Sequence, residues 1–337
     1  MGTRYEVILV NPPATLDDAA ALTQVINATL ARITVTFSTY ESSSELSRFN
    51  RHPSTEWMTV SPALFAVLRM ARSVHQVTQG AFEPTVAPLV KLWGFADGEQ
   101  PSQAPAQSDI LAALETTGMR HLELRAGGSQ ARKRNSKLSL NLNAIAKGYG
   151  VDQLARSLES AGARRYLINI GGEIRVKGKA PRGIPWRIGI ERPAGRTAAD
   201  GAGSPVTLRM TEGAVATSGD YRNFFVAHGK RFSHLIDPIT GHPVEHGLAS
   251  VTVLHKQAAI ADALATGLLV LGPNRGIAIA MAHDLPAYFI GRARNGAWQI
   301  QATAALGPFL SRQGASAPCA PLSTCQNSMR QGPRAKN

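Results

Sequence analysis

Apolar positions along the chain follow two periods. From Thr15 to about Arg32, and from Val60 to Gln79, they recur every three to four residues, the spacing of one buried helical face. Pro62 lies in the first turn of the second segment, and Gly80 follows its end. Ile110–Thr117 reads as a short helix. Leu138–Leu142 reads as a strand leading straight into a helix from about Ala144 to Leu158, stopped by Gly162. Strands are expected at 4–10, Tyr166–Ile170, Trp186–Glu191, Val206–Met210 and Ala249–His255. Asn223–Ala227 and Arg231–Ile236 flank His228-Gly229-Lys230 as a hairpin. Gln257–Leu271 is a strongly apolar helix closed by Gly272-Pro273, followed by a helix at 274–283 and a strand at 287–291. Residues 96–108, rich in Ala, Gln, Pro and Ser, form the main internal loop. Helices mixed with hairpin-linked strands predict an α+β (mixed α/β) fold.

Composition narrows the class. Hydrophobic residues make up 44% of the 337 and charged residues 18%, a globular balance that excludes wholesale disorder. No stretch approaches the length of a membrane-spanning helix, so a soluble chain is expected. No composition break separates two domains; the expectation is one domain over 1–310 and a disordered basic tail over 311–337. Cys319 and Cys325 lie in that tail without a Cys/His cluster, which gives a structural zinc site no support and leaves a small tail disulfide open. The opening Met1–Val7 has no apolar leader core and no lipid-attachment cysteine, and Glu6 breaks the myristoylation pattern. The expectation is therefore either a cytosolic protein or one whose export segment lies upstream.

The net charge of +13 raises the question of nucleic acid. Its distribution answers it. Arg312, Arg330, Arg334 and Lys336 sit in the tail, and Arg132, Lys133, Arg134 and Lys137 form a run before a strand. Scattered charges of this kind read as solvated loops, and a basic surface also suits an anionic substrate such as a dinucleotide.

Several segments carry candidate chemistry. Asp262 and Thr266 stand four apart on one face of an otherwise apolar helix. A carboxylate and a hydroxyl suit a hard cation such as Mg²⁺, whereas the plainer reading is an aspartate accepting backbone hydrogen bonds. In Leu140–Tyr149 a strand passes through Asn141 and Asn143 into a helix carrying Lys147. Such a helix start collects phosphates, or is simply capped by asparagine. His234, in Ser233–Gly241, has the pKa range of a base for a hydroxyl, while Asp237 reads as a turn-former. Gly80–Thr85 and Trp93-Gly94-Phe95 bring Phe82 and Trp93, which stack on a flat ring or pack in the core. Thr217–Tyr221 reads as a polar turn, and Gly171-Gly172 as a place of close backbone approach. There is no Walker loop, and no Gly-x-Gly-x-x-Gly follows a first strand.

Taken in order, these segments resemble the ApbE family of FAD:protein FMN transferases. The matching stretches run from Met1-Gly2-Thr3 through Phe37–Tyr40, Ser44–Asn50, Gly80–Thr85, Leu92–Phe95, Leu142–Asp152, Ile170–Glu173, Ala216–Tyr221, Ser233–Pro243 and Ala261–Thr266. The resemblance implies a T-fold-type architecture with mixed, mostly antiparallel sheets and packed helices. It also implies Mg²⁺ held by Asp262, Thr266 and the Ala144 carbonyl, FAD contacts at Met1, Tyr40, Ala81, Phe82, Glu83, Asn141, Lys147 and Ile236, and His234 as the base. The implied partner is a target flavoprotein subunit bearing a Thr or Ser, and the implied setting is the periplasm or the membrane surface. Glu83 and Asn141 stand where the family usually has Asp; the first lengthens the arm and the second removes a charge. The rival readings are an FAD pyrophosphatase, a non-catalytic flavin carrier and a nucleic-acid binder.

Overall fold

A computed structural model describes residues 3–96, 103–191, 206–220, 224–227, 230–293 and 297–311. In chain order the strands are β1 (Tyr5–Leu9), β2 (Met58–Thr59), β3 (Leu122–Arg125), β4 (Gln130–Lys133), β5 (Tyr166–Ile170), β6 (Glu173–Lys177), β7 (Trp186–Ile190), β8 (Val206–Met210), β9 (Glu212–Gly219), β10 (Phe224–Ala227), β11 (Lys230–Ser233), β12 (Leu248–His255), β13 (Ala287–Arg292) and β14 (Trp298–Ala302). The helices are α1 (Ala19–Phe37), α2 (Glu45–Arg51), α3 (Pro62–Val77), α4 (Ala87–Leu92), α5 (Gln107–Glu115), α6 (Asn143–Ser160) and α7 (Ala258–Ala282).

Seven strands form one antiparallel sheet in the order β1-β5-β6-β9-β12-β13-β14. Alternation along the strands divides its faces. Val7, Ile168, Ile170 and Ala214 point to the helices, whereas Ile8, Leu167, Val176 and Val215 meet the β7–β8 ribbon and Leu306. β12 is covered on both faces, which is why Val251-Thr252-Val253-Leu254 is buried without a break. The fold is α+β, and all strand pairings among the described residues are antiparallel.

Helices α6 and α7 define the half of the molecule that matters for function. They touch so closely that a Cβ on Gly148 would lie 2.3 Å from the Ala258 carbonyl oxygen, so only glycine fits there. Gln257, the residue before α7, gives it no side-chain cap. Asp152 of α6 does that work from a distance. Its two oxygens accept the Ala258 and Ala259 amides at 3.0 Å each, while Arg175 of β6 neutralises it.

The structure corrects several expectations. α1 starts at Ala19, after a 3₁₀ turn at Ala14–Leu16, and runs on to Phe37. Its buried stripe of Ile26, Ile33 and Phe37 outlasts the β-branched Ile33–Thr36, whose helix propensity is weak. Residues 138–142 are not a strand of any sheet. The Asn50 amide takes a strand's place, donating to the Leu140 carbonyl at 2.9 Å and accepting its N–H at 2.8 Å. Thr217–Gly219 are the end of β9, in the middle of the main sheet, rather than a turn; Tyr221 lies outside the described residues. The run Arg132–Arg134 is not a solvated loop. It lies on and just past β4, where Glu123 pairs with Arg132 and Arg134 and Lys133 turns inward to full burial. By length and apolarity the 25-residue α7 could cross a membrane, contrary to the reading that no segment could. It instead packs on α6, α3, β9 and β12 and breaks at Gly272-Pro273, where Gly272 has φ +77°. α2, α4, β2, β3, β4, β6, β9 and β14 were not anticipated; all but β9 are short. Cys319, Cys325 and the basic tail beyond Ser311 lie outside the described residues.

Candidate active site

Every site residue implied by the family resemblance lines one cleft of about 830 Å³, except Met1, which lies outside the described residues. Four segments build its walls. α7 contributes Asp262 and Thr266, one and two turns from its start. The beginning of α6 contributes Asn141, Ala144 and Lys147. The loop after α3 contributes Ala81, Phe82 and Glu83, and the segment just after β11 contributes His234 and Ile236. Tyr40 stands at 80% exposure on the rim.

The α6–α7 wall is the charged part. Asp262 is buried and accepts the Gly148 amide at 3.1 Å. In a regular helix that amide serves the carbonyl of Ala144. Lys147, one turn into α6, donates to Glu173 Oε1 at 2.6 Å. Glu173 opens β6 after Gly171 and Gly172, whose φ values of +66° and +107° turn the chain out of β5. A Cβ on Gly171 would lie 2.8 Å from the Thr3 hydroxyl, whereas nothing lies within 4 Å of one on Gly172. Glu173 is buried, and its Oε2 has no hydrogen-bond partner among the described residues. Burial and the neighbouring Asp262 push its carboxyl above the usual range, and Lys147 only partly opposes them. Burial likewise raises Asp262, against the pull of Lys147 and the Gly148 amide. Thr266 shares a 2.8 Å hydrogen bond with Ser218 of β9, so the sheet below fixes its hydroxyl.

The other walls are less charged than the sequence suggested. Glu83 uses its carboxylate inside the chain. Oε1 accepts the Thr85 amide (3.0 Å) and hydroxyl (2.7 Å), and Oε2 accepts the Met119 amide (3.1 Å) with His75 at 3.4 Å. What Glu83 turns to the cleft is therefore mainly backbone. Asn141 Oδ1 accepts the Asn143 amide at 3.0 Å, and its own N–H goes to the Pro84 carbonyl at 2.8 Å, so it caps α6 and pins the Glu83 loop to it. Trp93 is core: 1% exposed, its indole N–H donates to the Gly241 carbonyl at 2.8 Å. Phe82 is buried yet borders the cleft. His234 meets the Phe95 ring edge-on at 6.3 Å. Asp237 forms the following turn, accepting the Ile239 amide with its carboxylate at 2.9 Å and the Gly241 amide with its carbonyl at 2.8 Å.

Glu173 and Ser218 escaped the sequence-level assignment of roles. The signal for Glu173 was its place directly after Gly-Gly; for Ser218 the polar Thr-Ser-Gly run pointed to a turn instead. Among the described residues no three His, Cys, Asp or Glu side chains gather as a metal cluster. The donor set is instead all oxygen: the Asp262 carboxylate, the Thr266 hydroxyl and the Ala144 carbonyl. This set, with the orphaned oxygen of Glu173 close by, fits a hard divalent cation and not zinc.

A cleft with a helix start, a lysine and a wall of oxygen donors suits a phosphate-bearing ligand. The model of the ApbE family matches residues 1–289. An FAD:protein FMN transferase of Vibrio cholerae is 40% identical over 312 residues, covering 93% of this chain and 91% of that one. The Escherichia coli K12 protein of the same name is 37% identical over 292 residues, 86% of this chain and 82% of its own. Among solved structures, the flavin transferase ApbE from Vibrio cholerae superposes with a TM-score of 0.83 at 39% identity, covering 92% of this chain and 96% of that one. The apo flavinyl transferase ApbE of Pseudomonas stutzeri gives 0.82 at 35% identity, covering 94% and 95%. The chain therefore belongs to the ApbE family and, with relatives this similar, is a transferase.

Proposed function

We propose that this enzyme transfers FMN from FAD to a threonine or serine hydroxyl of a target flavoprotein, with Mg²⁺ as cofactor and AMP as the leaving product. The observation that carries the reading is the meeting of the α6 start, Lys147, Asp262, Thr266 and the Ala144 carbonyl in one cleft. The names of the relatives support it.

In this reading Asp262, Thr266 and the Ala144 carbonyl hold Mg²⁺. When bound, the ion supplies positive charge against the phosphate oxygens as charge builds on the leaving group. Lys147 and the amides at the start of α6 bind the diphosphate of FAD. Tyr40, Phe82 and Ile236, with the backbone of Ala81 and Glu83, hold the flavin end, and Asn141 orients the α6 start. His234 takes the proton from the acceptor hydroxyl. That oxygen then attacks the FMN phosphorus in line, the bond to the AMP oxygen breaks, and AMP departs. The buried charges of the α6–α7 wall keep this arrangement preorganised.

The test is intact-mass measurement of a candidate flavoprotein subunit after incubation with the protein, FAD and Mg²⁺. A gain of one FMN, abolished by EDTA and by Asp262→Ala and reduced on the order of 100-fold or more by His234→Ala, is the expected result. Transfer that survives both substitutions would sink the mechanism. Free FMN and AMP without an acceptor gain would favour a pyrophosphatase using the same cleft.

A further inference from the structure

Glu173 has no role in the mechanism above, although it is the most conspicuous side chain in the cleft wall. It is 2% exposed, borders the cleft and spends only one of its two oxygens. A buried carboxylate oxygen left without a donor is costly, and native proteins rarely keep one without a use. The charges around it show what that use requires. Lys147 and Asp262 alone would make a neutral wall, and a dication brought there would face an ammonium with no net attraction. Glu173 neutralises Lys147 through Oε1 at 2.6 Å, which frees the charge of Asp262 for the cation. Its Oε2 is then left over, buried in the same wall.

We propose that Glu173 is a further carboxylate of the cation site: its Oε1 fixes the Lys147 ammonium, and its Oε2 faces the divalent cation, directly or through a bound water. This rests on the reading that a cation occupies the wall of Asp262 and Thr266. Mg²⁺ sites commonly combine one or two carboxylates with substrate phosphates and several waters, so a second carboxylate fits the chemistry.

The experiment is an electron paramagnetic resonance titration of Mn²⁺ into the full-length protein without FAD, so that loss of the Lys147 contact to the diphosphate does not enter. It compares wild type with Glu173→Gln, Lys147→Met, the double variant and Asp262→Asn. The expected result is Mn²⁺ affinity at least ten-fold weaker in Glu173→Gln and tighter in Lys147→Met. Glu173→Gln should weaken binding again in the Lys147→Met background, because its Oε2 acts without the lysine. Glu173→Asp, which keeps the charge, should recover part of the affinity and serves if the glutamine variant folds poorly. Wild-type affinity in Glu173→Gln, beside a ten-fold loss in Asp262→Asn, would overturn the proposal and leave the cation reading standing. No effect of Glu173→Gln in the Lys147→Met background would likewise overturn it, because Glu173 would then act only through the lysine. A wild-type protein that binds no Mn²⁺ would overturn both.

Discussion

Two glutamates of this protein are each paired with basic side chains, and their fates are opposite. Glu123, on the three-stranded β2-β4-β3 sheet, is gripped by Arg132 and Arg134, whose hydrogen bonds hold its carboxyl below the usual range. Glu173, on the α6–α7 wall, has a single lysine and a second carboxylate, and burial drives its carboxyl up. The first cluster satisfies its charges at the surface and leaves nothing over. The second keeps a buried oxygen and a buried carboxylate in reserve, beside a cleft. A tally of charged residues would rank the basic run of β4 first; what separates function from solvation here is burial with an unmet need.

The comparison breaks most sharply where the wall is assembled. Asp152→Ala removes the cap of α7 and strands Arg175, so a loss of about 4 kcal/mol is expected in urea unfolding. A loss below about 1 kcal/mol would mean that α7 holds its own start. Next comes Gly148→Ala, which drives a methyl against the Ala258 carbonyl. It should cost about 3 kcal/mol, whereas Gly127→Ala, in the β3–β4 turn with open space around it, should change little. Equal unfolding midpoints for these two would refute the close helix contact.

Lys133 sharpens the contrast from within the surface run, because it is the member that turned inward. Its ammonium donates to the Asn50 carbonyl at 2.9 Å, and burial pushes it down to about 8. The folded form therefore releases this proton before the unfolded chain does. Stability attributable to this site should rise as pH climbs from about 8 toward the ordinary lysine value of 10.5. Lys133→Met should flatten that rise in melts taken between these limits, and an unchanged slope would refute it. The smallest effect belongs to Glu123→Gln. Its pairs are surface contacts that salt screens, so its melting temperature should match wild type at moderate ionic strength.

How much was legible follows the same line. The candidate residues came together because short segments carried them: a helical four-residue spacing for Asp262 and Thr266, a helix start for Lys147, a strand end for His234. What stayed hidden depended on distant partners. Leu140 is extended as its segment suggested, but its partner is the Asn50 amide, 90 residues away, rather than a strand, and no local alternation records that. The end of β9 reads as a turn because Thr217-Ser218-Gly219 is polar and carries a glycine, yet these residues pair with Thr252, Val251 and Ser250 of β12. Glu83 reads as a charge for the ligand, yet its carboxylate is consumed by Thr85 and Met119. In each case a tertiary neighbour overrode the local pattern.

The Asp152 cap also bears on how the protein comes to be active. The hydrogen bonds from Ala258 and Ala259 to Asp152 span 106 and 107 residues. Closing a loop of that length costs entropy before any contact rewards it, so such contacts form late in folding. During synthesis, α6 leaves the ribosome long before the helix it caps. The wall of Asp262, Lys147 and Glu173 therefore cannot exist on a nascent chain that stops short of α7, and the cleft is completed only as the last third of the chain arrives.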